Sequence, residues 1–196
     1  MRLTLARVGG AVMLAGSVAF VMAAALVLGG VAVGTGVQGI GGLVFDLGLV
    51  LVATAAGILA ITGEGPLARM STRVGLVILG LGVLAILASA VAIRLGADLL
   101  TAALLQVAIG LPLAVLGMII LGASLARRTG PERLVGRSAL LGLGLVPVLV
   151  VLANLGETGL QFSALGAPVA ALAIGMLLAA LGGIGYLALS DRWSWR

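Results

Sequence analysis

Few side chains in this 196-residue sequence could do chemistry, and those few fall in one register. Asp46 lies about one turn into an apolar stretch, and Gln106 about two turns into another. Asn154 ends a third, with Glu157 and Gln161 just beyond it. Asp46, Gln106 and Asn154 could therefore form a shallow, outward-facing polar pocket for a small solute. A proton or cation relay needs ionisable groups at mid-depth, and none is there. An intramembrane aspartyl pair needs two carboxylates meeting in the interior, whereas Asp46 and Asp98 both belong to outer ends. The chain has no His and no Cys. Ser-His catalysis, thiol nucleophiles, disulfides and Cys/His zinc sites are thereby excluded. Every basic residue is Arg, so no phosphate-binding loop ending in Gly-Lys-Ser/Thr exists. The expectation is a protein without catalytic residues, cofactor or metal, and not an enzyme.

The elements that must position these groups are apolar stretches. Hydrophobic residues make up 62% of the chain and charged ones 9%, with a mean hydropathy of +1.36. A soluble domain of this size could not hide so much apolar surface, but a lipid bilayer can cover it. The expected class is all-α: a polytopic membrane protein with six transmembrane helices. They fall near residues 8–30, 43–62, 74–93, 99–126, 138–155 and 167–189, within a single transmembrane domain over 1–196. A span takes about 20 residues, so the connections are short. Val31 to Gly42 reads as a glycine-rich outer loop or as an extension of span one, and the fifth span reads as short. Met1 to Arg7 resembles the n-region of a signal peptide, but the following apolar run is long and lacks a polar c-region, so an uncleaved first span is expected.

Ten of the eleven arginines lie in alternate gaps between these stretches. Arg2 and Arg7 precede the first, and Arg69 and Arg73 separate the second from the third. Arg127, Arg128, Arg133 and Arg137 separate the fourth from the fifth, and Arg192 and Arg196 follow the last. Such alternation is the positive-inside pattern, and it places both termini in the cytoplasm of a cell-membrane protein. The net charge of +5 does not imply nucleic acid, because the arginines are scattered and lack aromatic interleaving. Arg94 is the exception, in an outer turn, where Asp98 four residues on could pair with it.

Arg7-Val8-Gly9 recurs as Arg73-Val74-Gly75, and Arg137 opens span five in the same way. Gly65-Pro66 and Gly130-Pro131 close the first two hairpins. Three tandem helical hairpins are the expected arrangement. The stretches Leu79-Gly80-Leu81-Gly82 and Gly117-Met118-Ile119-Ile120, the latter followed by Arg127-Arg128, resemble the HdeD-like family of small six-span membrane proteins. That resemblance implies a role linked to acid stress. The chain departs from the family in having no Trp before residue 193.

Glycine occurs 32 times, often inside spans, where small residues let helix backbones approach in lipid. Ala11, Ala15, Ala19 and Ala23 form a ladder on span one, and Gly175, Ala179 and Gly183 one on span six. They read as packing faces, toward the rest of the chain or toward another subunit. The alanine ladder also resembles the coupling surface of S-components of energy-coupling-factor transporters, whose ligand sites need more polar and aromatic groups than this chain has. Pro112 and Pro147 fall mid-span and could bend their helices. Two functions follow as expectations. The first is a packing, accessory or stress-related membrane protein, a homo-oligomer or a subunit of a larger membrane complex, with the lipid bilayer as its constant partner. The alternative is a small-solute permease or transport component using the outer polar pocket.

Overall fold

The computed structural model describes the backbone of residues 2–33, 35–156 and 162–190, and the side chains of 5–26, 40–146, 169 and 171–190. Six long helices account for nearly all of it: α1 (Arg2–Val33), α2 (Thr35–Thr62), α3 (Met70–Arg94), α4 (Leu99–Ala126), α5 (Pro131–Gly156) and α6 (Phe162–Leu189). No strand occurs among the described residues. Five helices hold stretches long and apolar enough to cross a membrane: Leu5–Leu26, Ile40–Thr62, Met70–Arg94, Leu99–Ala126 and Ala171–Leu189. Large apolar side chains such as Val18, Leu47, Leu81, Val107, Leu141 and Leu172 lie exposed around the bundle. In water such a girdle would drive aggregation, whereas lipid solvates it. The chain is built as a membrane-embedded helical protein.

Each helix packs on its sequence neighbours, and α6 packs back on α1, closing a ring. Neighbours run antiparallel. Gly9 meets Leu59 and Gly16 meets Val52 across α1 and α2, while Gly142 meets Leu177 and Gly183 meets Val135 across α5 and α6. The starts of α1, α3 and α5 therefore share one end of the bundle with the ends of α2, α4 and α6. Every arginine with a described side chain lies at that end except Arg94. The core runs through Met13, Leu59, Leu76, Leu121, Leu125 and Ile184, all essentially inaccessible.

Glycine brings the backbones together. Gly82 of α3 lies where an added Cβ would sit 2.8 Å from both the Ala114 Cα and the Gly110 carbonyl oxygen, and against the Ala114 nitrogen. Gly117 of α4 likewise lies against the Leu79 backbone, and Gly75 faces the Gly117 carbonyl at 3.1 Å. Gly75 and Gly82, like Gly110 and Gly117, stand seven residues apart, so each pair holds one face over two turns. The α1–α6 seam is reciprocal: a Cβ on Gly10 would meet the Gly185 oxygen at 2.7 Å, and one on Gly185 the Gly10 oxygen at 2.7 Å. Lipid gives no hydrophobic drive for helix association, so such dispersion contacts carry it.

The connections differ from expectation in an instructive way. Val31 to Gly42 is helical on both sides of residue 34 rather than a loop. The fifth helix is 26 residues long, not short, because it begins at Pro131 with Arg133 and Arg137 in its first turns. An apolar run marks what lipid can cover and does not fix where a helix ends: residues 35–42 are helical despite the low helix propensity of their glycines. The Gly-Pro signals do mark turns: Gly65 (φ 56°) and Gly130 (φ 80°) adopt left-handed backbone, Pro66 lies in the short helical turn Gly65–Ala68, and Pro131 opens α5. Gly96 (φ 85°) ends α3 in the same conformation. Its own N–H reaches the Ile93 carbonyl at 3.1 Å, and the next N–H, of Ala97, reaches the Ala92 carbonyl at 2.9 Å.

Pro112 has a visible consequence. The six residues Leu105–Gly110 just before it form a π-turn, and the Leu111 N–H donates to the Gln106 carbonyl five residues back. Proline lacks an N–H and its ring crowds the carbonyl four residues earlier; a widened turn accommodates both. Pro147 lies outside the described side chains, in a backbone that stays helical around it.

Candidate functional site

The low-charge end of the bundle contains a cavity of about 520 Å³ between α1, α2 and α6. Its shape follows from residue size. Phe20 on α1 and Phe45 on α2 meet with ring centroids 5.2 Å apart and planes tilted 58°. Gly48 admits the Phe20 ring, since a Cβ there would stand 3.1 Å from it. Ile174, Leu177 and Leu178 of α6 form the facing wall. Ala23, Ala24, Gly41 and Gly42 also line the space and are too small to fill it.

Two polar side chains complete the lining, and they form an ion pair: Arg94 at the end of α3 with Asp46 of α2. Asp46 is mostly covered, with 16% of its side chain exposed, whereas Arg94 keeps 48%. The carboxylate is short and held near apolar walls, while the long arginine reaches toward the surface. The expected Arg94–Asp98 pair gives way to this one. Asp98 instead caps α4, accepting from the Thr101 backbone N–H at 3.2 Å and from its hydroxyl at 3.3 Å. A cap at a helix N-terminus satisfies an otherwise orphan donor.

Of the three residues expected to share an outer polar pocket, Asp46 lines the cavity. Gln106 is half-buried in the π-turn of α4 and is not part of the lining. Asn154 lies outside the described side chains. Sequence reasoning missed Arg94 as the partner of Asp46, although the one arginine and a lone span aspartate at the same end are a legible charge match. It also missed the Phe20–Phe45 pair.

The two ladders are only partly buried. Ala19 and Ala23 are buried, but Ala11 and Ala15 are exposed; Gly183 is half-buried, whereas Gly175 and Ala179 are exposed. A step of four residues overshoots a helical turn by about 40°. A four-step ladder therefore winds from one face to the next. The buried line of α1 instead runs through Ala6, Gly10, Met13 and Ser17.

Hydroxyls inside the bundle are bonded to main-chain carbonyls, within a helix or across to a neighbour. Ser17 donates to the Met13 carbonyl at 2.8 Å, and Ser89 of α3 to the Ala102 carbonyl of α4 at 2.7 Å. Near the arginine-rich end, Ser124 bonds with Thr72 at 2.8 Å and Ser71 at 2.9 Å, tying α4 to α3. Burial, together with nearby Arg69, pulls the Arg128 guanidinium below its usual pKa, and Glu132 opposes them. Glu132 is itself buried in the first turn of α5, where a helix N-terminus favours negative charge. Among the described residues no group of three or more carboxylates lies together to hold a metal ion. Compared with protein-family models, with curated proteins and with solved structures, the chain matches none.

Proposed function

We propose that this chain is a non-catalytic membrane protein that acts by packing. It serves as an accessory subunit of a larger membrane complex, or as the stress-related membrane protein that its likeness to the HdeD-like family implies. One observation carries this reading. Away from the cavity beside Phe20 and Phe45, the described interior is closed by glycine seams, and the hydroxyls of Ser17 and Ser89 are consumed by main-chain carbonyls. What remains for interaction is the outer surface, where exposed Ala11, Ala15, Gly175 and Ala179 leave backbone open to close approach. The arginine alternation supports a cell-membrane location with both termini in the cytoplasm, and three tandem hairpins suit the antiparallel ring.

Gentle extraction followed by native mass spectrometry should yield a defined oligomer or a stoichiometric partner. A strictly monomeric particle without partner would sink the subunit version. A fluorescent protein fused at the C-terminus should fluoresce, and an alkaline phosphatase fused there should be inactive; the reverse pattern would overturn the orientation. A transport role keeps one supporting observation, Asp46 at the cavity wall. Uptake of small solutes unchanged by Asp46→Ala and by Gln106→Ala would end it.

A further inference from the structure

We propose that the cavity beside Phe20 and Phe45 is a lipid site: it takes one acyl chain of a zwitterionic phospholipid, with the phosphate on Arg94 and the ammonium beside Asp46. The volume of about 520 Å³ lies within the range of small-ligand pockets. The chemistry of the described walls favours a hydrocarbon over a hydrated polar solute, because among the described residues they are aromatic, aliphatic or glycine apart from the one ion pair. An apolar space also offers water few partners. A hydrocarbon chain fits such walls, and the surrounding leaflet supplies one at high local concentration.

Apolar walls alone cannot select a lipid, since moving a chain from bilayer to cavity gains little hydrophobic free energy. Selectivity falls to the rim. Arg94 is half exposed, and its fork of five donors is only partly used by Asp46. The spare donors suit a phosphate, which arginine binds through charge-assisted bonds. Asp46 sets the sign of the discrimination. An anionic head group would bring its net negative charge next to the carboxylate, whereas a zwitterionic head brings a compensating ammonium. The Arg94–Asp46 pair is a net-neutral dipole and matches a head group of the same kind. This proposal is independent of the assembly reading, because it concerns a cavity within one copy of the chain.

Gly42 supplies a clean test. It lines the cavity, and a Cβ added there would meet nothing within 4 Å. The full-length protein is reconstituted in bilayers of equal phosphatidylethanolamine and phosphatidylglycerol, extracted gently, and its retained lipid identified by native mass spectrometry. Wild type should retain one lipid per chain, with phosphatidylethanolamine favoured by about tenfold. Gly42→Leu should unfold at the wild-type temperature or above and lose the retained lipid. Asp46→Asn should shift the preference toward phosphatidylglycerol. Equal retention by wild type and Gly42→Leu would overturn the site, as would a wild type that retains nothing. A head-group preference unchanged in Asp46→Asn would overturn the role given to the ion pair.

Discussion

Gly82→Leu is expected to abolish the folded bundle, while Gly57→Leu leaves it intact. The two glycines sit in neighbouring helices and are equally ordinary in sequence. A Cβ on Gly82 would press on the backbone of Ala114 and Gly110, whereas one on Gly57 would meet nothing within 4 Å. Overpacking against side chains costs about 1–3 kcal/mol because rotamers can shift. Backbone cannot swing aside, so α3 and α4 would have to separate, at a cost of roughly 3 kcal/mol or more. That separation would also break the Ser89 to Ala102 bond between them. At Gly57 the leucine would face lipid and gain up to about 1 kcal/mol of helix propensity. Thermal unfolding in detergent, followed by circular dichroism and size-exclusion chromatography, checks both. A monodisperse Gly82→Leu protein with wild-type unfolding temperature would refute the seam.

Arg94→Leu is the second large effect. It would leave Asp46 in apolar surroundings without its counter-charge, and breaking one side of a covered ion pair costs about 3–5 kcal/mol. Partial exposure of the pair reduces this, so a loss of roughly 2 kcal/mol is expected. Asp46→Leu should be milder, because the freed Arg94 is half exposed and can extend to the membrane surface. The double variant should recover most of the loss, since a pair replaced by apolar residues is often near neutral. Unfolding of the four proteins in a double-mutant cycle reads this directly. Additive losses would mean that the two side chains do not interact.

Much of the architecture was legible because lipid imposes simple demands. Apolar runs located all six helices, and Gly65-Pro66 and Gly130-Pro131 marked real turns. The arginines marked one end of the bundle before any contact was known. The misplaced helix ends have one physical origin. The loop expected over Val31 to Gly42 and the short fifth span both came from equating helix with apolar run, whereas the helices run beyond the apolar stretches. The ladders on α1 and α6 are divided between interior and surface, because a spacing of four residues winds around a helix. The site was legible in part: Asp46 could be singled out as a charge in an apolar run, and Arg94 as the one basic residue at the same end, but the nearer Asp98 was taken as its partner.

The sequence alone therefore determined the class and the number of long helices, because transfer into lipid is a local property summed along the chain. Tertiary structure decided which residues face each other: the closure of α6 on α1, the opposed glycines of α3 and α4, and the pairing of Arg94 with Asp46. In a soluble helix an apolar stripe marks the inward face. Here lipid is as apolar as the core, so both faces read alike, and rotation about each helix axis is set by close packing and by the few polar groups that need partners.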